Sequence, residues 1–510
     1  MSYNSYQYFA IFLPITLLVY QLTPRKYRWI TLLCANYVFF YSFSKSLVLY
    51  QITETAVTYL FGLALWKMDK APDHMDKKVF RRRKHTVLWL GILSVLSFLI
   101  CLKYLDSIYD VTAAIFHFPY TAMTVVMPIG LSYYTLQNIS YLVDVSNKKI
   151  QVNKNVFQLA LYSSFFGTIV EGPITRYGDI FESLFAGEPI TADSFMMGAQ
   201  RITWGLFQKI VIADHLDAVV KSIFTYHYES GALAFLGAVL CTIQLYMDFA
   251  GTIDIVIGSA QMIHVQVAEN FRQPFFAKNA SDFWRRWHIT LGTFLRDYIF
   301  YPISLSKPIQ RMTKRLKAHN HKHLARYAGP MIALFFVWLT NGIWHGASSV
   351  YVLYGMYYFV FMVIEMFWEK PFETWCEKHH LSISGWQVRT FRFLKLFLIV
   401  VLGEMLFRAG KLSVAVTMFK AILLNFHISD LSCFMDLGMN GMNWITVVLC
   451  FTLVIVRDVL KEKNYPMREK YENLPKYVKW GLYYGLILVI IFFGAYGPSY
   501  SVVGMMYAGF

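Results

Sequence analysis

The chain has 510 residues, of which 56% are hydrophobic and only 15% are charged, and its mean hydropathy is +0.42. Soluble domains are about 45–50% apolar and about 25% charged, so the composition excludes an ordinary soluble protein and predicts an integral membrane protein. The net charge of +16 does not indicate nucleic-acid binding. Its basic residues cluster in short loops beside apolar segments, where membrane lipid is the expected partner.

Roughly twelve apolar segments follow one another along the chain, and most are long enough to cross about 30 Å of hydrocarbon. They lie near 8–22, 29–43, 46–66, 87–104, 121–145, 200–224, 232–264, 327–343, 347–368, 393–409, 443–460 and 479–496. A further stretch, 156–172, is interrupted by Gly167 and Gly172 and is followed by Pro173. It is a candidate for a segment that enters the membrane without crossing it. The predicted fold class is an all-α integral membrane protein.

Three segments rich in lysine and arginine separate these apolar stretches, at 67–84, 306–326 and 457–479. We expect all three to be cytoplasmic, which is self-consistent if both termini lie outside. The second segment contains His319, His321 and His323, an alternation that is compatible with a metal tract or with a solvated basic loop. The six cysteines have no metal-ligand spacing, and the sequence predicts no metal.

Ionisable residues at membrane depth usually have a function, and the first such place is Asn341-Gly-Ile-Trp-His-Gly-Ala347. His345 lies between Gly342 and Gly346, so a backbone or a ligand can approach it closely. A neutral imidazole can take a proton from an alcohol and return it to a leaving group. A helix-turn histidine bonded to a backbone carbonyl is the alternative, and spacing alone leaves both open.

The second place is Ser281-Asp-Phe-Trp-Arg-Arg-Trp-His-Ile-Thr290. On a continuous helix, Trp284, Trp287, His288 and Leu291 would share one face. Tryptophan together with arginine is typical of a helix that lies in the membrane interface. We therefore expect such a helix, with His288 directed toward the protein.

Two further places carry acidic residues. Asp248 and Asp254 lie inside an apolar span but are six residues apart, so they do not share a helical face and a paired acid/base dyad is not expected. Each has either a functional role or a structural partner such as an arginine or a helix N-terminus. Glu171-Gly-Pro-Ile-Thr-Arg176 either lines the mouth of a cavity or forms a tight turn.

An ordered set of motifs resembles one known family. The motifs occupy 128–137, 172–176, 206–214, 248–254, 282–289 and 344–347, and Phe407-Arg408 and a short aromatic C-terminal tail follow them. Gln208-Lys209 and the ending Met505-Met-Tyr-Ala-Gly-Phe510 depart from the usual pattern of the alginate-acetylating branch. On these residues the sequence is identified as a member of the membrane-bound O-acyltransferase (MBOAT) family, similar to its alginate-acetylating branch. No Walker loop, GxSxG elbow or HExxH motif competes with this identification.

The resemblance implies a bundle of helices around a central funnel or tunnel, with re-entrant or interfacial helices, in a bacterial cell membrane. It implies that His345 is the near-invariant catalytic residue and that His288 is the second signature histidine. Family members take an acyl group from a cytoplasmic thioester, typically acetyl-CoA or an acyl carrier protein, and deliver it to a hydroxyl. In bacterial polysaccharide systems the acceptor is outside the cell, and an extracytoplasmic SGNH-type acyltransferase partner often completes the transfer.

We therefore interpret the chain as one polytopic membrane domain, with N-terminal helices at 1–127, an MBOAT core at 128–370 and C-terminal helices at 371–510. Its predicted activity is O-acylation, most simply acetylation, of an extracytoplasmic polysaccharide. His345 and His288 are the predicted catalytic pair, and weaker candidates for binding substrate or donor are Trp344, Asn341, Asp248, Trp287 and Arg176. The alternatives are D-alanyl transfer to teichoic acid, a polysaccharide flippase whose histidines line a proton path, and a scaffold of a cell-envelope complex.

Overall fold

The computed structural model describes residues 2–70, 76–123, 125–497, 500 and 504. These residues form helices and loops and include no β-strand, which confirms the predicted all-α class. The chain tail at 505–510 lies outside the described residues. Two compact units divide the chain: the first takes in the described residues of Met1–Gly205 together with Thr252–Ala268, and the second takes in Leu206–Gly251 and the described residues of Glu269–Val503.

The first unit is built from nine helices and from the last residues of a tenth, described below with the second unit. The nine are α1 (Leu13–Leu22), α2 (Arg28–Ser44), α3 (Val48–Asp69), α4 (Lys77–Leu99), α5 (Leu105–Phe116), α6 (Leu131–Ser146), α7 (Val156–Ser164), α8 (Tyr177–Ala186) and α9 (Ala192–Leu206). Short π-helical turns occupy Tyr8–Phe12 and Ile100–Tyr104, and 3-10 turns occupy Arg25–Tyr27 and Lys45–Leu47. Helices α3, α4 and α6 pack against one another. The buried Glu54 of α3 accepts hydrogen bonds from Thr135 (3.2 Å) and Asn138 (3.0 Å) of α6.

The stretch 156–172 begins as a helix and then becomes non-helical, as its glycines predict. Helix α7 has only nine residues, so at about 1.5 Å per residue it is far too short to cross a bilayer. From Phe165 to Thr175 the chain is non-helical, and the whole of this segment is buried. The interruption of the helix is confirmed, and protein rather than lipid surrounds the non-helical backbone, as such a segment requires.

The second unit contains the remaining helices. They are α10 (Asp214–Tyr226), α11 (Gly231–Met262), α12 (Ala280–Trp284), α13 (Ile289–Leu295), α14 (Tyr301–Ser304), α15 (Lys307–Ala318), α16 (Lys322–His345), α17 (Ser349–Lys378), α18 (Trp386–Ala409), α19 (Leu412–Leu424), α20 (Gly441–Glu462), α21 (Met467–Glu472) and α22 (Lys476–Phe493). Helix α11 extends beyond Gly251, and its last residues belong to the first unit. Phe207–Ala213 and Arg296–Phe300 are π-helical turns, and Pro274–Phe276 and Ile428–Asp436 are 3-10 helices.

Seven of the described helical stretches are long and apolar enough to cross a membrane, which confirms a multi-pass membrane protein. They are Arg25–Asp69, Lys77–Phe116, Gly231–Met262, Lys322–His345, Ser349–Lys378, Gly441–Glu462 and Lys476–Phe493. The sequence predicts about twelve, because apolar residues also occur in stretches that form no long helix or that carry several charges. The apolar stretch 121–145 becomes helical only at Leu131, and 200–224 contains five charged side chains. The first of the seven includes both α2 and α3.

Helices α16 and α17 form a tightly packed pair that places the end of α16. A Cβ atom added to Gly355 of α17 would collide with the carbonyl oxygen of Trp338, and one added to Gly342 of α16 would collide with that of Tyr351. The two backbones therefore touch directly at these glycines. Small residues allow this close approach, which supplies much of the packing energy between membrane helices.

We expect Gly355→Ala to force α16 and α17 apart, because backbone atoms cannot move aside as a flexible side chain can. Overpacking of this kind costs about 1–3 kcal/mol. Thermal denaturation of the detergent-solubilised protein, followed by fluorescence-detected size exclusion, measures the effect. Gly485→Ala is the matched control, because it also adds one methyl group within a helix but meets no atom within 4 Å. Equal melting temperatures for the two variants would contradict direct backbone contact.

Candidate active site

His345 is the last residue of α16 and is only 2% exposed. Three aromatic rings surround its imidazole: Trp344 at 4.9 Å, Phe407 of α18 at 5.1 Å and Tyr354 of α17 at 5.8 Å between ring centroids. Gly346 follows, and a Cβ atom there would come within 2.5 Å of the Tyr351 ring. The Tyr351 ring thus leaves no room for a side chain at position 346, the glycine next to His345 in the sequence.

The segment that carries His288 is not one continuous helix, so the predicted interfacial helix with Trp284, Trp287, His288 and Leu291 on one face is wrong. Helix α12 ends at Trp284, and α13 begins at Ile289. Between them His288 adopts a left-handed backbone conformation with φ of 45°. A non-glycine residue is rarely found there, and the surrounding structure must hold it in place.

Asn270, in the loop after α11, supplies the groups that hold this turn. Its backbone carbonyl accepts from the amide of Ile289 at 3.0 Å. Its side-chain Oδ1 accepts from the Thr290 amide at 3.0 Å and from the Thr290 hydroxyl at 2.8 Å, and lies 3.4 Å from Nδ1 of His288. Asn270 is fully buried. Sequence reasoning missed it, because a lone asparagine in the polar loop 264–273 carries no spacing signal.

The two predicted catalytic histidines share one neighbour, Trp344. The Trp344 ring lies 6.0 Å from that of His288 and 4.9 Å from that of His345, so a single indole contacts both imidazoles. Phe249 of α11 packs edge-on against His288 at 4.9 Å. His288 lies outside the candidate spans, and burial lowers the pKa of its imidazole to about 3. It is therefore neutral at physiological pH.

Asn341 lies one helical turn before His345, so both side chains project from the same face of α16. It is buried, and its Oδ1 accepts no hydrogen bond from any residue that the structure describes. Buried amide oxygens are nearly always hydrogen bonded. An acceptor of this kind beside the histidine is suited to a hydroxyl group, and the binding role of Asn341 stays a prediction.

A buried carboxyl group that sequence reasoning also missed supports the wall next to His345. Glu404 of α18 is 0% exposed. It accepts hydrogen bonds from the hydroxyl groups of Tyr358, at 3.2 Å, and Tyr354. Because Tyr354 contacts His345, Glu404 positions one side of the histidine pocket. A lone acid in the apolar run 393–409 was the available signal.

Asp248 lies in an ion-pair cluster. The ammonium group of Lys209, in the π-helical turn, binds both Asp248 and Asp214, the latter at 2.7 Å, and all three side chains are buried. Asp254 pairs separately with Arg201 at 2.8 Å within the first unit. Each aspartate thus has its own cationic partner, as the structural alternative anticipated. A part for Asp248 in substrate binding stays a prediction.

Trp287 and its neighbouring arginine belong to the packing of the second unit. The Trp287 ring stacks on Phe283 at 5.5 Å and meets Phe271 edge-on at 5.1 Å. Arg286 is not an exposed interfacial cation, because its guanidinium makes two hydrogen bonds to Glu462, at 2.7 and 3.2 Å. Trp287 therefore anchors the His288 turn, and a substrate contact for it stays a prediction.

Arg176 lies in the first unit, at the start of α8. Its backbone is extended, with φ of −82° and ψ of 151°, and its side chain is half-buried. Glu171, five residues earlier, is fully buried in the non-helical segment after α7. The Glu171–Arg176 motif thus forms a packed connection between α7 and α8, and its predicted role in binding substrate or donor is untested by this geometry.

Comparison with known proteins identifies what this histidine site belongs to. The profile of MBOAT, the membrane-bound O-acyltransferase family, matches residues 83–402, a range that includes His288, Trp344 and His345. The chain belongs to this family. It is therefore a membrane O-acyltransferase.

Individual relatives resemble this MBOAT protein over different lengths. The probable alginate O-acetylase AlgI of Pseudomonas aeruginosa is 29% identical over 92% of this chain and 84% of its own length. The peptidoglycan O-acetyltransferase of Helicobacter pylori is 25% identical over 80% of this chain and 82% of its own. The teichoic acid D-alanyltransferase of Bacillus subtilis is 28% identical, but over only 48% of this chain and 60% of its own.

Two adjoining clefts lie between α17 and α18 and not at the histidines of this acyltransferase. Their volumes are about 590 and 370 Å³, and both are lined by Trp368 and Phe391. The lining is mainly aromatic and aliphatic, as expected where lipid chains cover a membrane helix. We therefore define the candidate active site by the polar groups and ring contacts around the two histidines, and not by these clefts.

Within the described ranges, no three histidine, cysteine, aspartate or glutamate side chains are grouped so that they could hold a metal ion. His319, His321 and His323 are exposed around the junction of α15 and α16. The three alternating histidines therefore lie on an exposed surface of the protein.

We expect Lys209→Met to destabilise this MBOAT protein by about 3–5 kcal/mol, because it leaves two buried carboxylates without their shared cation. The melting temperature in detergent measures the loss. Lys221→Met, at an exposed position of the neighbouring helix α10, is the control and should leave the melting temperature unchanged. Adding Asp214→Asn and Asp248→Asn should restore part of the loss. Equal melting for the two lysine variants would mean that the cluster contributes nothing.

Proposed function

We propose that this MBOAT protein transfers an acyl group, most simply acetyl, from a cytoplasmic thioester to a hydroxyl group of an extracytoplasmic polysaccharide. The observation that carries the proposal is the contact of both signature histidines with one indole, Trp344, in a chain whose family performs O-acyl transfer. Relatives named for acetylation of alginate and of peptidoglycan match four fifths or more of this chain, which supports a polysaccharide acceptor.

In the proposed reaction His345, assisted by His288, takes the proton of the acceptor hydroxyl. The oxygen then attacks the thioester carbonyl, the carbon–sulfur bond breaks, and the proton leaves with the thiol. General base catalysis contributes about 10²–10⁴-fold, and holding both substrates in place contributes more. Asn341 and Trp344 bind the acceptor beside His345. Asp248, Trp287 and Arg176 are further binding candidates, of which Asp248 and Trp287 have their main contacts in the packing described above.

The donor approaches from the basic side of the protein. Helix α15 and the start of α16 are exposed and rich in lysine and arginine, which suits the phosphates of acetyl-CoA or the acidic surface of an acyl carrier protein. His345 is at the other end of α16, which has 24 residues and is therefore about 36 Å long. The acyl group must travel this length, and a funnel or tunnel through the membrane domain would provide the route.

Delivery outside the membrane requires an acceptor or a carrier on that side. An extracytoplasmic SGNH-type acyltransferase is the partner we propose: its hydroxyl is the acceptor at His345, and the partner then passes the acyl group to a hydroxyl of the polysaccharide. D-alanyl transfer to teichoic acid is the second candidate, because a D-alanyltransferase also matches this chain. That match covers about half of the chain, so acetylation is preferred. Family membership favours acyl transfer over the flippase and scaffold alternatives.

We expect His345→Ala to lower polysaccharide acetylation at least 100-fold, because the proposed proton acceptor is removed. Acetate released by mild alkali from purified polysaccharide, normalised to the amount of protein in the membrane, measures the effect. His427→Ala is the matched control: its side chain is exposed and lies outside the three basic segments, and acetylation should be unchanged. Acetylation at the wild-type level in His345→Ala would refute the role given to His345.

The donor is tested separately with inverted membrane vesicles that contain the full-length protein. We expect label from acetyl-CoA or from an acetylated carrier protein to reach the acceptor fraction, and no label from a D-alanylated carrier protein. Which of the two acetyl donors is used is read directly from the same experiment. Transfer of D-alanine alone would replace the acetyl proposal with the teichoic acid candidate.

A further inference from the structure

The orientation of the Asn270 side chain is determined by its neighbours. The Thr290 backbone amide is a donor and cannot accept, so the Asn270 atom 3.0 Å from it must be the oxygen Oδ1 and not the nitrogen Nδ2. The Thr290 hydroxyl, 2.8 Å away, donates to the same oxygen. The opposite assignment of the amide would bring two N–H groups against each other. The two donors of Thr290 therefore settle the orientation of the Asn270 amide.

The same oxygen lies 3.4 Å from Nδ1 of His288. Because Oδ1 can only accept, a hydrogen bond between these two atoms requires the hydrogen to be on Nδ1. A neutral imidazole has one N–H group, so the lone pair that can accept a proton is on Nε2. The nitrogen that donates to an orienting group thus determines which nitrogen carries the lone pair.

We propose that Asn270 is the positioning residue for His288: it holds the imidazole as the Nδ1–H tautomer and presents Nε2 as the proton acceptor in acyl transfer. This inference rests on the proposed function, because it assumes that His288 takes part in the reaction. The proton taken up by Nε2 comes from the acceptor hydroxyl, directly or through His345, and later leaves with the thiol. While the imidazolium exists, the Nδ1–H···Oδ1 bond is charge-assisted and therefore stronger.

The surroundings of His288 explain why the positioning group at residue 270 is a neutral amide and not a carboxylate. The rings facing His288 are Phe249 and Trp344, which bring no charge. Two charged side chains that adjoin this site are held in ion pairs: Arg286, two residues before His288, pairs with Glu462, and Asp248, next to Phe249, pairs with Lys209. A carboxylate at position 270 would stabilise the imidazolium and raise the pKa of His288, which burial now lowers. An amide keeps His288 neutral and still fixes its tautomer.

The experiment measures acetyl transfer from acetyl-CoA in inverted membrane vesicles between pH 5 and 9. Asn270→Asp retains every accepted hydrogen bond but adds a negative charge. A protonated imidazole cannot accept a proton, so a raised His288 pKa removes activity as the pH falls. Burial holds the His288 pKa of the wild type at about 3, below this range, so the wild type should not lose activity through His288 at pH 5. Asn270→Asp should instead lose activity as the pH falls toward 5, because a carboxylate partner raises that pKa by about 1–3. Asn270→Ala, which removes the acceptor, should lose at least 10-fold in rate.

Thr290→Val is the matched control. It removes the hydroxyl bond to Oδ1 but keeps the Thr290 amide bond and the His288 contact, so its rate should stay within about threefold of the wild type, with an unchanged pH profile. Protein level and monodispersity by size exclusion are measured for every variant. Asn270→Asp preserves the shape of the side chain and the hydrogen bonds that Oδ1 accepts. Its pH profile therefore tests whether residue 270 positions His288 even if Asn270→Ala does not fold. An unshifted Asn270→Asp profile would overturn the inference.

His288→Ala separates this inference from the function on which it rests. Full acetylation by His288→Ala would refute the part given to His288, and the inference would fall with it. Loss of acetylation in His288→Ala together with a wild-type profile in Asn270→Asp would refute the inference alone. A loss in His288→Ala with a shifted Asn270→Asp profile supports both.

Discussion

Removing a polar group from water without giving it a hydrogen-bond partner costs several kcal/mol of free energy. The cost is largest for a charged group. In a membrane protein this penalty falls on backbone and side chains alike, and it explains where the buried polar residues of this chain lie. Lys209 lies between two aspartates, Glu404 accepts from two tyrosines, and Asn270 accepts from the backbone and side chain of one turn. The positions of the histidines depend on these pairings.

Three neighbouring elements fix the position of the His345 side chain, and further contacts fix each of these elements in turn. The glycine contact between α16 and α17 brings Tyr354 to the end of α16. Glu404 fixes the Tyr354 hydroxyl, and Phe407, on the same α18, packs on the imidazole. A reacting side chain must be held within a fraction of an ångström of its productive position, and rigid helices meeting at close contacts can do this where a loop cannot.

His288 is held differently, by a turn whose left-handed residue is the histidine itself. Helical spacing in this tryptophan-rich segment predicted one helix, and the prediction failed because Asn270, distant in sequence, captures the amides of Ile289 and Thr290. A local pattern cannot report such a bond. The strained conformation persists only because these contacts over-determine it, as is common at functional sites.

The sequence alone determined the membrane class, the all-α fold and the family, because apolar runs of this length are stable only as helices in a bilayer and the ordered motifs are specific. It also indicated the two histidines. Only the tertiary structure decided that one indole contacts both, that Asp248 pairs with Lys209, and that Asn270 orients His288. These relations join residues far apart in the chain. Their energies come from packing and desolvation in three dimensions, which no periodicity along the sequence encodes.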